Sequence, residues 1–145
     1  MKILNISTII PLKGLPRDND IILQIQDYLK NRYNYQFIIA KSLPFSPSFL
    51  GLFSLKWKKY SEYTKQKKLK IHGYNTLIYS WLAPPTSNLW IYYFLIPLNY
   101  LWYNFKIKKQ LSNFANDTDL IVTQSIFPDA LYGYWLAKRL KKPYV

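Results

Sequence analysis

The sequence predicts an α/β protein built on a doubly wound parallel sheet. Three observations carry that expectation. Short apolar runs at Lys2–Ser7, Gln36–Ala40, Thr76–Trp81 and Asp119–Thr123 read as buried strands. Segments with helical periodicity or helical length separate them, and alternating strands and helices favour a parallel sheet. The stretch from Asp119 to Val145, DLIVTQSIFPDALYGYWLAKRLKKPYV, reads as strand, polar loop, helix and the start of a further strand. A parallel strand needs neighbours on its faces and edges. The sheet is therefore expected to be incomplete at the C-terminus, with residues 1–145 forming part of one domain.

Each element has its own signal. Lys2–Ser7 is too short and too polar for a signal-peptide core, and Pro11 follows soon after, so it reads as the first strand. Asp18, Asn19 and Asp20 are good helix caps. Ile21, Ile22, Ile25 and Leu29 then recur at helical spacing, predicting a helix to about Asn31 and completing a β–α–β unit with Gln36–Ala40. From Lys41 to Tyr74 the pattern weakens, broken early by Pro44 and Pro47. Thr76–Trp81 is the third strand, ended by Pro84-Pro85. Leu89–Phe105 predicts a long helix reaching toward Phe114, with a kink at Pro97. After the fourth strand, Pro128 suits the first turn of a helix. Ala130, Gly133, Ala137 and Leu140 give that helix a narrow small-residue face for packing on a sheet, and Lys138, Arg139, Lys141 and Lys142 crowd its end.

Composition excludes several function classes. Half the residues are hydrophobic and 19% are aromatic, which excludes a disordered chain. No cysteine is present, so disulfides, thiolate metal sites and a cysteine nucleophile are excluded. The formal charge of +13 favours an anionic partner. No G-x-G-x-x-G or Walker loop occurs, so no resident cofactor is expected. Metal ligands are too few for a metal site.

In a doubly wound sheet, ligands bind beyond the carboxyl ends of the strands where the strand order reverses. For a half-order 3-2-1-4-5, that crevice lies between the loop from Thr8 to Asn19 and the loop from Gln124 to Asp129. Lys13, Arg17, Asp18 and Asn19 on the first loop, and Gln124, Ser125 and Asp129 on the second, are the candidate site residues. Plainer readings stand beside them. Lys13 and Arg17 suit a solvated loop, Asp18 and Asn19 suit helix capping, and Asp129 at a helix start suits the dipole. Ser125 has no evident histidine partner, since the single histidine is His72. No catalytic residue is assigned.

The segment from Lys56 to Lys70 interleaves lysines with Trp57, Tyr60 and Tyr63. Lys56, Trp57, Lys58, Lys59, Lys67 and Lys68 are candidate contacts to an anionic membrane surface, against the alternative of a solvated face with anchoring aromatics. Nucleic acid could use the same composition, but no recognised motif accompanies it, and it is not the expected partner. A helix over Leu89–Phe105 would cover about 25 Å, short of the ~30 Å hydrocarbon core. With Pro97, Asn99 and Asn104 inside it, a crossover helix with a greasy outer face fits better than a membrane span.

These elements in this order resemble the N-terminal domain of family-4 glycosyltransferases with the GT-B architecture. MKILNISTIIP with the Arg17-to-Leu29 segment is similar to the family's first strand and helix. The variable passage ending at Pro84-Pro85 is also typical, and DLIVTQSIFPDALYGYWLAKRLKKPYV matches the family's Asp-led strand, "fpd" loop, "lak" helix and "kPyv" strand. The likeness covers nearly the whole chain. It departs where Arg17-Asp18-Asn19-Asp20 replaces a glycine-rich turn, and where Gln124-Ser125 stands in place of a histidine that often precedes the loop.

The resemblance implies a Rossmann-like domain that binds the acceptor of a sugar transfer, the sugar coming from a nucleotide-sugar donor. The acceptor would be a polysaccharide or lipid-linked sugar. The family's paired-glutamate donor motif belongs to a second, donor-binding domain that this chain does not supply. The implied location is the cytoplasm, peripheral on the inner face of the cell membrane. The alternative reading is a non-enzymatic, basic membrane-surface protein.

Overall fold

The computed structural model describes residues 1–12, 21–45, 52, 54–83 and 89–145. The expectations placed on Lys13, Arg17, Asp18, Asn19, Asp20, Pro47 and Pro84-Pro85 lie outside the described residues.

Strand β1 (Lys2–Ser7) pairs in parallel with β2 (Gln36–Pro44) on one edge and with β5 (Leu120–Thr123) on the other. β2 pairs in parallel with β4 (Tyr74–Trp81), and β4 carries the short antiparallel β3 (Lys68–Ile71) at the edge. The five strands run in the order β3-β4-β2-β1-β5. The final residues extend the sheet beyond β5: Ile121 N–H donates to Pro143 O at 3.1 Å, Val145 N–H to Ile121 O at 3.0 Å, and Thr123 N–H to Val145 O at 2.8 Å. The fold is thus α/β with a mostly parallel, Rossmann-like sheet, and the half-order expected from the sequence is present with one added edge strand.

Alternation along the strands builds two cores. Leu4, Ile6, Ile38, Ala40, Leu77 and Tyr79 face one way and meet Tyr103, Ile107, Leu111, Tyr132 and Leu136. Ile39, Leu43, Ile78 and Tyr74 face the other way and meet Ile22 and Leu23 of α1 (Ile21–Tyr33), with Tyr60 and Tyr63 of α2 (Leu55–Gln66) packed alongside. On the first face run α3 (Leu89–Trp102), a wide π-type turn over Tyr103–Ile107, α4 (Lys108–Ala115) and α5 (Leu131–Leu140).

Several expectations need correction. β2 runs on through Lys41 to Pro44, since Pro44 ends the strand opposite Trp81 rather than breaking the segment earlier. The weak passage before Tyr74 holds α2 and a β-hairpin whose turn is His72-Gly73, with φ of 48° and 82°. Positive φ at both turn residues matches the twist of the flanking strands. On α1 the buried face is Ile22, Leu23 and Gln26, while Ile21 and Ile25 point to solvent. The helix continues regularly through Pro97, and its irregularity falls later, at Tyr103–Ile107. Lys142, expected at its own helix end, instead donates to Ala115 O at 3.1 Å and to the carbonyls of Asn116 and Thr118. It places a cation on the carbonyls that end α4.

Two close contacts fix the helices to the sheet. Gly133 of α5 lies so near β5 that a Cβ there would sit 2.4 Å from Thr123 Cγ2 and 2.9 Å from Tyr144 Cε2. The small-residue face read from the sequence is what permits this approach. Asn99 of α3 is fully buried. Its Nδ2 donates to Leu82 O and Leu95 O at 3.0 Å each, and its Oδ1 accepts from Leu82 N at 3.0 Å and Tyr132 OH at 2.8 Å. Every hydrogen-bonding site of the amide is used, joining the end of β4 to α3 and α5.

Three stability outcomes are expected. Asn99→Ala strands Leu82 and the Tyr132 hydroxyl inside the protein and is expected to cost about 3 kcal/mol in urea denaturation. Asn104→Ala, nearer solvent in the wide turn that follows α3, is expected to stay within about 0.5 kcal/mol of the parent. Gly133→Ala is expected to destabilise by about 1–3 kcal/mol through overpacking, and an unchanged midpoint would mean that α5 can lift away freely.

Candidate functional site

The chain leaves β1 toward β2 and β4 on one side and reaches β5 on the other, so the order reverses between β1 and β5. The loops that follow these two strands flank the crevice expected at such a switch point. The first begins at Thr8. The second contains Gln124 and Ser125, then extended Phe127 (φ −134°, ψ 132°), after which helical winding starts at Pro128 and leads into α5. Pro128, preceded by a cis peptide, therefore takes the helix-opening place its residue type suits.

Asp129 holds these loops together. Its carboxylate is fully buried. Oδ2 accepts from Thr8 N–H and from Ser125 Oγ, both at 2.7 Å, and Oδ1 accepts from Ser42 Oγ at 2.9 Å. Ser42 lies near the end of β2, so one side chain ties together the carboxyl ends of β1, β2 and β5. The dipole reading of Asp129 is too small a role for it. Burial pushes its carboxyl above the ordinary value of 3.8, and the hydrogen bonds from Ser125, Thr8 and Ser42 pull it down without cancelling that rise.

Lys41 acts from the other face of β2, next to Ile39 and Leu43 in the alternation. It is buried, and its ammonium donates to Thr8 O. The Thr8 backbone is therefore bracketed, its N–H donating to a carboxyl oxygen and its C=O accepting from the lysine amine. Neither partner is adjacent to Thr8 in sequence, and no local motif marks the arrangement. A lysine inside an apolar strand and an aspartate after a proline were the only signals.

Around the rim, Thr8, Gln124 and Ser125 are half-buried, and Thr8 Oγ1 lies 3.4 Å from Ser125 Oγ. Gln124 Oε1 has no partner among the described residues. Behind Asp129, Trp81 Nε1 is also buried without a partner there. Burial, and then the charge of Asp129, hold the Tyr79 hydroxyl well above its ordinary pKa, so it remains a donor at any physiological pH. The switch point thus gathers hydroxyl and amide groups, suited to a hydroxyl-rich ligand, over the buried Asp129. Among the described residues no group of three or more His, Asp or Glu side chains could hold a metal ion.

No family model, curated protein or solved structure matches the chain.

The structure brings Gln124, Ser125 and Asp129 together with Thr8, while Lys13, Arg17, Asp18 and Asn19 lie outside the described residues. It separates the six residues considered for a membrane. Lys56, Trp57, Lys58 and Lys59 ride on α2, on the face shared with α1, where Trp57 is half-buried with its ring centroid 5.8 Å from that of Tyr60. Lys67 and Lys68 instead stand at the sheet edge, beside Phe105, Lys106 and Lys109 of the opposite face.

The raised pKa of Asp129 has a defined sign. A carboxyl whose folded pKa lies above its unfolded value adds stability at low pH and loses it as pH rises through the folded pKa. In urea titrations the parent is expected to gain stability relative to Asp129→Asn as pH falls through that raised pKa, levelling off below the ordinary value of 3.8. A difference that shrinks on acidification would mean that the hydrogen bonds outweigh burial.

Proposed function

We propose that this chain is the acceptor-binding, N-terminal part of a GT-B glycosyltransferase of the family-4 kind. It would serve the transfer of a sugar from a nucleotide-sugar donor to a polysaccharide or lipid-linked acceptor. The observation that carries this reading is the cluster at the switch point, where Thr8 and Ser125 hydrogen-bond to Asp129 and Gln124 adjoins Ser125. Hydroxyl and amide groups at a rim suit the hydroxyls of a sugar, each such hydrogen bond adding about 0.5–1.5 kcal/mol. Asp129 lies in the Phe127-Pro128-Asp129 turn, within the Asp119–Val145 stretch that carries the most specific part of the likeness quoted above. Its bracing role gives a reason for an aspartate at that place.

The division of labour implied by the likeness assigns donor binding to paired glutamates of a second domain. Glu62 is the single glutamate of this sequence, and it lies exposed on α2, so such a pair has to be supplied from elsewhere. The chain by itself is therefore a binding module for the acceptor. The alternative, a non-enzymatic protein of the membrane surface, is favoured by the exposed apolar residues of α3 and makes no use of the crevice.

Saturation-transfer NMR of the purified chain with a panel of oligosaccharides and lipid-linked sugars separates these readings. Binding is expected, with Gln124→Ala weakening it several-fold and leaving the urea midpoint unchanged. The chain is expected not to turn over any nucleotide sugar. Absence of glycan binding, or sugar transfer by the isolated chain, would overturn the proposal.

A further inference from the structure

The outward face of α3 is apolar along its length. Phe94, Leu98, Leu101 and Phe105 recur at intervals of four, three and four residues, so they form one stripe running on from α3 into the wide turn. They are 77%, 49%, 51% and 82% exposed. Large apolar side chains aligned in this way are unlike the scattered exposed hydrophobics of an ordinary surface.

Cations flank the stripe on both sides. On one flank a hollow is lined by Lys67, Lys68, Phe105, Lys106 and Lys109, together with Gln66, Gln110 and Asn113. On the other flank a groove between α3 and α5 is lined by Lys108, Lys138 and Arg139, with Tyr100, Tyr134 and Trp135 beside them. Among the described residues no acidic side chain lines either one. An apolar ridge between basic margins, with tyrosine and tryptophan at its border, matches an interface of hydrocarbon beneath anionic headgroups. A second copy of the chain would bring seven like charges against seven. α3 has 14 residues, and among the described residues no helix is long and apolar enough to cross a membrane. The ridge would therefore lie along the surface.

We propose that the outer face of α3, with the cations on its two flanks, docks on an anionic lipid bilayer. The stripe enters the headgroup boundary, and the lysines and Arg139 reach the lipid phosphates while their stems cover the ridge. This inference stands apart from the sugar-transfer reading and uses none of the crevice residues.

Co-sedimentation of the full chain with vesicles tests it. One set is phosphatidylcholine alone, and the other is an equal mixture with phosphatidylglycerol. Binding to the mixed vesicles is expected, much weaker binding to the neutral ones, and release by high salt. Lys67→Gln, Lys106→Gln and Lys109→Gln combined are expected to lower partitioning by about a hundredfold. Phe94→Ser with Phe105→Ser is expected to lower it by about tenfold or more. All five positions are exposed, and circular dichroism with a urea midpoint checks that the variants fold. No binding to the mixed vesicles would overturn the proposal, as would binding unaffected by the phenylalanine variant. Sedimentation velocity showing a dimer that the phenylalanine variant abolishes would also overturn it, naming a second copy as the occupant.

Discussion

The backbone of Thr8 lies between two buried ionisable side chains. Asp129 takes its N–H and Lys41 gives a proton to its C=O. Hydrogen bonds to ionised groups are roughly twice as strong as neutral ones. Here they clamp the point where the chain leaves the middle of the sheet. A buried charge left alone would be costly, so each of these two depends on its place in the network. Because Asp129 also accepts hydrogen bonds from Ser42 and Ser125, the ends of β1, β2 and β5 are tied to one another. These hydrogen bonds tie the loops of the switch point together at their base.

The opposite face depends on a neutral counterpart. Asn99 uses all four of its hydrogen-bonding sites to hold α3 and α5 to the end of β4. Around it, Tyr79, Tyr103, Tyr132 and Trp135 fill the space with edge-on and tilted ring contacts, their centroids 5.4–5.6 Å apart. Aromatic rings supply much apolar area with few rotatable bonds, which suits a small sheet that must bury one face under few helices. With its inner side taken up in this way, α3 is left presenting Phe94, Leu98, Leu101 and Phe105 outward.

What could be read in the sequence was whatever local periodicity and residue shape encode. The strands β1, β2, β4 and β5, the half-order of the sheet and the close approach at Gly133 all follow from such signals. Hairpin strand β3 was missed because Lys68-Leu69-Lys70-Ile71 continues a lysine-rich run and its alternation spans only four residues. The buried face of α1 was misjudged because Gln26 turns inward where the isoleucines Ile21 and Ile25 set a competing pattern. The clamp at Thr8 was illegible for a different reason. Thr8 and Asp129 are 121 positions apart, and their pairing exists only once the sheet has formed. Asn99, read as a polar interruption of a greasy helix, likewise finds Leu82 and Tyr132 only in three dimensions.

The two surfaces of interest meet at one end of the molecule. Asn99 is level with Leu82, which lies one residue beyond β4, and Trp102 Nε1 reaches back to Ser80 O at 3.0 Å. α3 therefore runs back along the sheet from this point, and its residues before Asn99 overhang the carboxyl edge of the strands. Phe94 stands about 7 Å past that edge at the rise of an α-helix. The apolar stripe thus begins near the edge where the crevice opens and ends among the lysines at the far side of the sheet. A bilayer lying along the stripe would run past the crevice edge and leave its opening facing along the membrane plane. A ligand with a hydroxyl-rich head and a lipid tail would have both parts accommodated in that arrangement, the head above the Thr8 and Ser125 pair and the tail in the layer beneath α3. Binding of such a ligand would then draw on two surfaces at once. Its affinity would exceed that of the free sugar by the local concentration the membrane provides, with no added contact in the crevice.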